Sequence, residues 1–108
     1  MRIFLIAIAI ILAPLAAEAR PTPLHVVNEM KAAAALKWPG QYDMQRYEID
    51  QQKTGWEAID ELYRKGYRGI PLNVVREIVA FARGEWPNNY RMQYYEARKQ
   101  ITSYLSLQ

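Results

Sequence analysis

The 108-residue chain contains no cysteine. Disulfide frameworks, thiolate metal sites and cysteine nucleophiles are therefore excluded at the outset. Histidine occurs once, at His25, and serine only at Ser103 and Ser106. No Ser/His/Asp or Cys/His arrangement can be assembled from that inventory. A glycine-rich phosphate loop and an HExxH motif are also missing, so neither a metal nor a cofactor is expected. His25 has Asn73 as its counterpart in the repeat described below, and it reads as a polar residue at the start of a helix. No stretch alternates apolar and polar residues as a half-buried strand would. Nucleic acid is not an expected partner.

The one long apolar run is Ile3 to Ala17. It follows a short positive start, Met1-Arg2, carries Pro14, and ends on Ala17-Glu18-Ala19, the A-x-A pattern of a signal-peptide cleavage site. At about fifteen residues it is shorter than the ~18–20 needed to span a bilayer. The expectation is a cleaved signal peptide over 1–19, export to the periplasm or beyond, and a single domain over 20–108. Such a domain has few residues with which to build a core and no disulfides to assist it. Its supply of large side chains, three Trp, eight Tyr and four Met in the whole chain, is what packing can draw on.

What the chain does have is itself twice. Residues 23–54 align without a gap on residues 71–102, an offset of 48, and 16 of the 32 positions are identical. Unrelated segments would share about two. In each copy a Pro opens an apolar-periodic segment. Leu24, Val27, Met30 and Ala34, matched by Leu72, Val75, Ile78 and Ala82, recur at helical spacing. Trp38-Pro39-Gly40-Gln41-Tyr42 and Trp86-Pro87-Asn88-Asn89-Tyr90 follow. Pro disfavours helix at the residue before it, so the first helix should stop by the Trp. Gly84 is a second candidate stop. Trp38 and Trp86 are expected to plug the hairpins, with Met44 and Met92 as further structural positions, and Asn88 or Asn89 to cap the next helix.

The second helix of each unit starts near Tyr42 or Tyr90. In copy one it runs from 42 to about 65, bent at Gly55 or split there by a Thr54-x-x-Glu57 capping box. Arg64 to Ile70, with Gly66 and Gly69, joins the copies. The fold class implied is all-α: two tandem helical hairpins, over 23–65 and 71–108, forming a pseudo-two-fold four-helix bundle. Asp43 aligns with Arg91 and Asp50 with Arg98. If the second helices pack antiparallel, Asp43 meets Arg98 and Asp50 meets Arg91.

Several polar residues are kept in both copies. Gln45, Glu48 and Gln52 lie at i, i+3 and i+7 on one helix stripe, and Gln93, Glu96 and Gln100 repeat it. With Tyr42 and Tyr90 these are the candidate binding residues, a doubled groove for a peptide or glycan. The competing reading makes them hydrogen-bonding partners of the fold itself. Tyr47 and Tyr95 are expected in the core, and Tyr63, Tyr67 and Tyr94 at the surface. Charge divides unevenly. Residues 20–63 carry five basic and seven acidic side chains (−2), and residues 64–108 carry eight and three (+5). The basic set, Arg64, Lys65, Arg68, Arg76, Arg83, Arg91, Arg98 and Lys99, suits either solvent or an anionic envelope partner.

The function implied is a small exported helical binding or adaptor module, of the inhibitor, immunity or envelope-assembly kind. It would act on a protein or an envelope polymer without catalysis. The alternatives are a cell-wall glycan hydrolase using Glu48 and Glu96 and a structural protein that oligomerises.

Overall fold

The computed structural model describes residues 20–108, so the expected signal peptide lies outside the described residues. These form four helices: α1 Leu24–Lys37, α2 Tyr42–Lys65, α3 Leu72–Glu85 and α4 Tyr90–Ser106. There is no strand among them, and Tyr67 and Ile70 make one isolated bridge in the turn between hairpins. The fold is all-α, two helical hairpins packed as a four-helix bundle. No helix among the described residues is long and apolar enough to cross a membrane.

The two hairpin turns are built alike. Pro39 and Pro87 follow the Trp, and the next residues, Gly40 and Asn88, have φ of 74° and 60°. Pro followed by a residue at positive φ is the requirement of a type II turn, and Gly and Asn are the residues that tolerate it. The Gln41 and Asn89 N–H groups close the turns on the Trp38 and Trp86 carbonyls, each at 3.1 Å. Both first helices end at the Trp, as the following Pro dictates. Gly84 is not the stop; it lies inside α3. Pro23 and Pro71 occupy the positions just before their helices, without a side-chain cap.

Helix α2 is the hub, packing on α1, α3 and α4. It is one unbroken helix from Tyr42 to Lys65. The Thr54–Glu57 capping box does not form, because Thr54 lies inside the continuous helix and not at a helix start; the Glu57 carboxylate instead accepts from the Thr22 hydroxyl at 3.1 Å. The core lies where the second half of α2 meets α3 and α4. Ile59, Ile70, Val75, Val79, Ala82, Ala97 and Ile101 cluster there, flanked by Leu62, Ile78, Tyr94 and Tyr104. On α1 the buried face is Val26, Met30 and Ala34, while Leu24 stands exposed.

The pairing of the second helices departs from the antiparallel expectation. Gln52 meets the start of α4, and further along Leu62 shares a cavity wall with Tyr94 and Arg98. The two helices therefore run parallel, with α4 starting midway along α2. Tyr90 aligns with Tyr42 in the repeat, yet it abuts Gln52, ten residues on. Neither Asp43–Arg98 nor Asp50–Arg91 forms an ion pair, and the carboxylate that senses Arg91 is Glu48. Tyr47 and Tyr95 are also not core: they are 53 % and 60 % exposed. Tyr94 instead packs against the core cluster, whereas Tyr63 and Tyr67 stand at the surface as expected.

The segment that precedes α1 is tied to α2 by an ion pair. Arg20 Nε donates to Asp60 Oδ2 at 3.1 Å, and Arg64 Nε donates to the same oxygen at 2.9 Å. Desolvation alone would raise the Asp60 carboxyl, but the hydrogen bonds and charges of Arg20 and Arg64 outweigh it and hold it below the ordinary value. A depressed carboxylate stabilises the fold above its unfolded pKa, about 3.9, and that contribution is lost as pH falls through the folded value. Thermal melts should therefore show stability falling below about pH 4, and Asp60→Asn should flatten the fall while lowering the neutral-pH melting temperature. An Asp60→Asn protein with an unchanged acid profile would remove Asp60 as a contributor.

Candidate functional site

Each residue of the polar stripe has a definite place. Gln45 and Gln93 do the same work in their two copies: each side-chain amide donates to the preceding Trp carbonyl, at 2.8 Å in both. They brace the hairpin turns, which answers why both copies keep them. Gln93 is buried, and its Oε1 has no partner. Trp38 and Trp86 fold back only in part, with Trp86 at the surface and Trp38 half-buried. Met44 and Met92 are half-buried in the first turns of α2 and α4.

The remaining members differ between copies. Glu48 accepts from Gln52 Nε2 at 3.1 Å and from Lys37 Nζ at 3.3 Å. Glu96 accepts from Gln100 Nε2 at 2.8 Å and pairs with Lys99 at 3.3 Å. Gln52 does more than its counterpart. Its Oε1 accepts the backbone N–H groups of Tyr90 (2.6 Å) and Arg91 (3.2 Å), and its Nε2 also donates to Asn89 Oδ1 at 3.1 Å. Asn89 in turn caps α4 by accepting from the Met92 N–H at 3.2 Å. The first N–H groups of a helix have no partner within it. Gln52 supplies one from the other hairpin, and so forms the joint between the two copies.

That joint leaves a groove beside it. Met30, Ala33 and Ala34 of α1 form its apolar floor, Glu29, Lys37 and Glu48 its charged rim, and Asn88 and Tyr90 its far wall, around a cavity of about 340 Å³. Of the residues singled out by sequence, Glu48, Gln52 and Tyr90 come together here. Tyr42, Gln45, Gln93, Glu96 and Gln100 do not line it. Sequence reasoning passed over Ala33, Glu29 and Lys37 as site residues; the repeat kept Glu29 as Glu77, a signal that pointed to it. Burial, then the Glu29 carboxylate, raise the Tyr90 phenol above its usual value, against a smaller opposing effect of Arg83. Tyr90 thus presents a neutral hydroxyl to the groove. Glu48 is raised by desolvation but lowered more by its bonds to Gln52 and Lys37 and by the charges of Lys37 and Arg91. It is an anion at neutral pH. In Glu96 the Gln100 bond leads, and with Lys99 and Trp86 it outweighs desolvation to the same net effect.

Much of the basic set is engaged within the fold. Arg76 and Arg83 both lie over the Tyr63 ring, 4.8 and 5.3 Å from its centroid, and Arg76 Nε donates to the Tyr63 carbonyl at 2.8 Å. Arg98 lies over Tyr94, and Lys65 pairs with Glu61. Cation–π contacts of this kind are worth about 0.5–1 kcal/mol at exposed sites. The two on Tyr63 bind the basic hairpin to α2, and the one on Tyr94 stays within α4. No family model, curated protein or solved structure matches the chain.

Proposed function

We propose that the protein is an exported binding or adaptor module, of the inhibitor, immunity or envelope-assembly kind. It holds a protein or envelope polymer in the groove between its hairpins. The observation that carries this reading is the groove itself: an apolar floor, a rim bearing both charge signs and a neutral phenol, set against the hydrogen-bonded inter-hairpin joint. A concave apolar surface with few, fixed polar groups is what side-chain recognition uses. The cleavage pattern at Ala17-Glu18-Ala19 supports export to the periplasm or beyond. A glycan hydrolase working through Glu48 and Glu96 would need one carboxyl to hold a proton at neutral pH. Both are pushed the other way, which favours binding over hydrolysis.

Ala33 tests the reading, because it lines the groove and is exposed on α1. Ala33→Trp should fill the groove while leaving helicity and melting temperature close to wild type. Capture from an envelope extract of the producing organism should then recover a partner with the wild-type protein and lose it with Ala33→Trp. Recovery of the same set by both proteins would sink the groove as the binding site.

A further inference from the structure

Within the repeat, only two charged positions are the same in both copies, Glu29/Glu77 and Glu48/Glu96. Glu48 and Glu96 are each bonded within their own hairpin. Glu29 and Glu77 are exposed, and neither makes a hydrogen bond or ion pair among the described residues. The fold gives no reason for either carboxylate, yet each stands at the same place beside a groove. Glu29 lies with Met30, Ala33 and Gln52 on the groove between the hairpins. Glu77 lies with Ile78, Phe81 and Gln100, the aligned residues, on a second cavity of about 370 Å³ lined by α3 and α4.

The residues around each groove favour an entering cation. Glu77 is the one charged residue lining the second groove, and the nearby Glu96 is already paired with Lys99. Two carboxylates, Glu29 and Glu48, line the first against one ammonium, Lys37, which Glu48 already holds. Arg91 and Arg83 act on Glu48 and Tyr90 without lining that groove, and they oppose a cation there. The second groove should therefore show the stronger preference. Aromatic rings border both, Tyr90 in the first and Phe81 and Tyr104 in the second, and a ring face attracts a cation. The walls are aliphatic: Met30, Ala33 and Ala34 in one, Val74 and Ile78 in the other. Such a wall suits the methylene stem of a long basic side chain, whose charged head stays at the wet rim.

We propose that each groove takes a lysine or arginine side chain of a partner protein, its stem on the aliphatic wall and its cation at Glu29 or Glu77. Charge complementarity sets the sign of the occupant, and the wall sets its stem. An acidic side chain would meet an unpaired carboxylate in either place. An amino sugar brings the cation without the methylenes. At the first groove this rests on the partner-site reading above and gives that partner its chemistry; the second groove is a further site of the same kind.

Amide NMR titration of the purified exported protein tests it. The probes are a capped alanine pentapeptide with lysine, norleucine or glutamate at its centre, and a glucosamine oligomer. The lysine peptide should shift the amides of Ala33 and Ala34 in the first groove and of Phe81 and Gln100 in the second. It should bind about threefold more tightly than the norleucine peptide, as an exposed ion pair allows. The glutamate peptide should bind more weakly still, and the glucosamine oligomer should shift neither set. Glu29→Gln should abolish the lysine preference at the first groove alone, and Glu77→Gln at the second alone. Glu85→Gln, exposed and lining neither groove, should leave both preferences intact. Circular dichroism confirms that the variants are folded. Norleucine or glutamate bound as tightly as lysine, a preference that survives both glutamine variants, or no shift with lysine would overturn the proposal. If Ala33→Trp nonetheless lost its captured partner, the groove would stand as a binding site and only its cation chemistry would fall.

Discussion

Gly55→Ala should destabilise the protein by about 2–3 kcal/mol, although alanine is the better helix former by about 1 kcal/mol. The added Cβ would lie 2.5 Å from the Tyr90 carbonyl oxygen, 2.6 Å from its carbon and 2.7 Å from the Arg91 nitrogen. These are backbone atoms and cannot rotate aside, so the start of α4 must retreat from α2. The retreat breaks the 2.6 and 3.2 Å bonds to Gln52, each worth about 1 kcal/mol net. Overpacking and lost bonds together exceed the propensity gain. Urea unfolding followed by circular dichroism measures the difference. A Gly55→Ala protein more stable than wild type would mean that α4 does not approach α2 so closely.

Gln52→Ala should cost about 2–3 kcal/mol in the same measurement, by a different route. Its side chain is buried between the hairpins, where it accepts two backbone N–H groups and donates to Asn89. Truncation leaves those helix-start donors without their protein acceptor. The aligned change Gln100→Ala removes a single part-buried bond to Glu96 and leaves no backbone donor without an acceptor, and it should cost less than about 1 kcal/mol. Equal losses at the two positions would show that Gln52 contributes nothing beyond its bond to Glu48.

These two residues also show what could be read from sequence and what could not. The hairpins, their Trp-Pro turns and the Asn89 cap follow from local rules: Pro restricts its predecessor, and Asn both tolerates positive φ and accepts from a helix start. Those rules act over four or five residues, and they held. Gly55 was legible only as a weak point in a helix, because the reason for it is a backbone brought in from 35 residues away. The offset of 48 in sequence likewise carries no information about the step of ten in space. Hence charge inversion at Asp43/Arg91 and Asp50/Arg98 suggested an antiparallel pairing that the structure does not contain.

The candidate site was legible in part for the same reason. Retention of Gln45/Gln93 and Gln52/Gln100 marked positions that matter, but retention does not separate a brace from a binding group. Gln45 and Gln93 turned out to brace turns, and Gln52 to hold the joint. The groove they support is floored by Ala33 and Ala34, and small residues on an apolar stripe give no sign in sequence that they line a cavity. Tyr47 and Tyr95 were misplaced because a helical stripe fixes which residues share a face but not which face is covered.

The groove between the hairpins is the proposed partner site. Site-specific photo-crosslinking in the intact producing cell tests it most directly. A photoreactive residue at Ala33, on the groove floor, should give one dominant adduct. The same residue at Glu85, exposed at the end of α3 and outside the groove, should give none. No adduct from position 33, or the same adduct from both positions, would contradict the account.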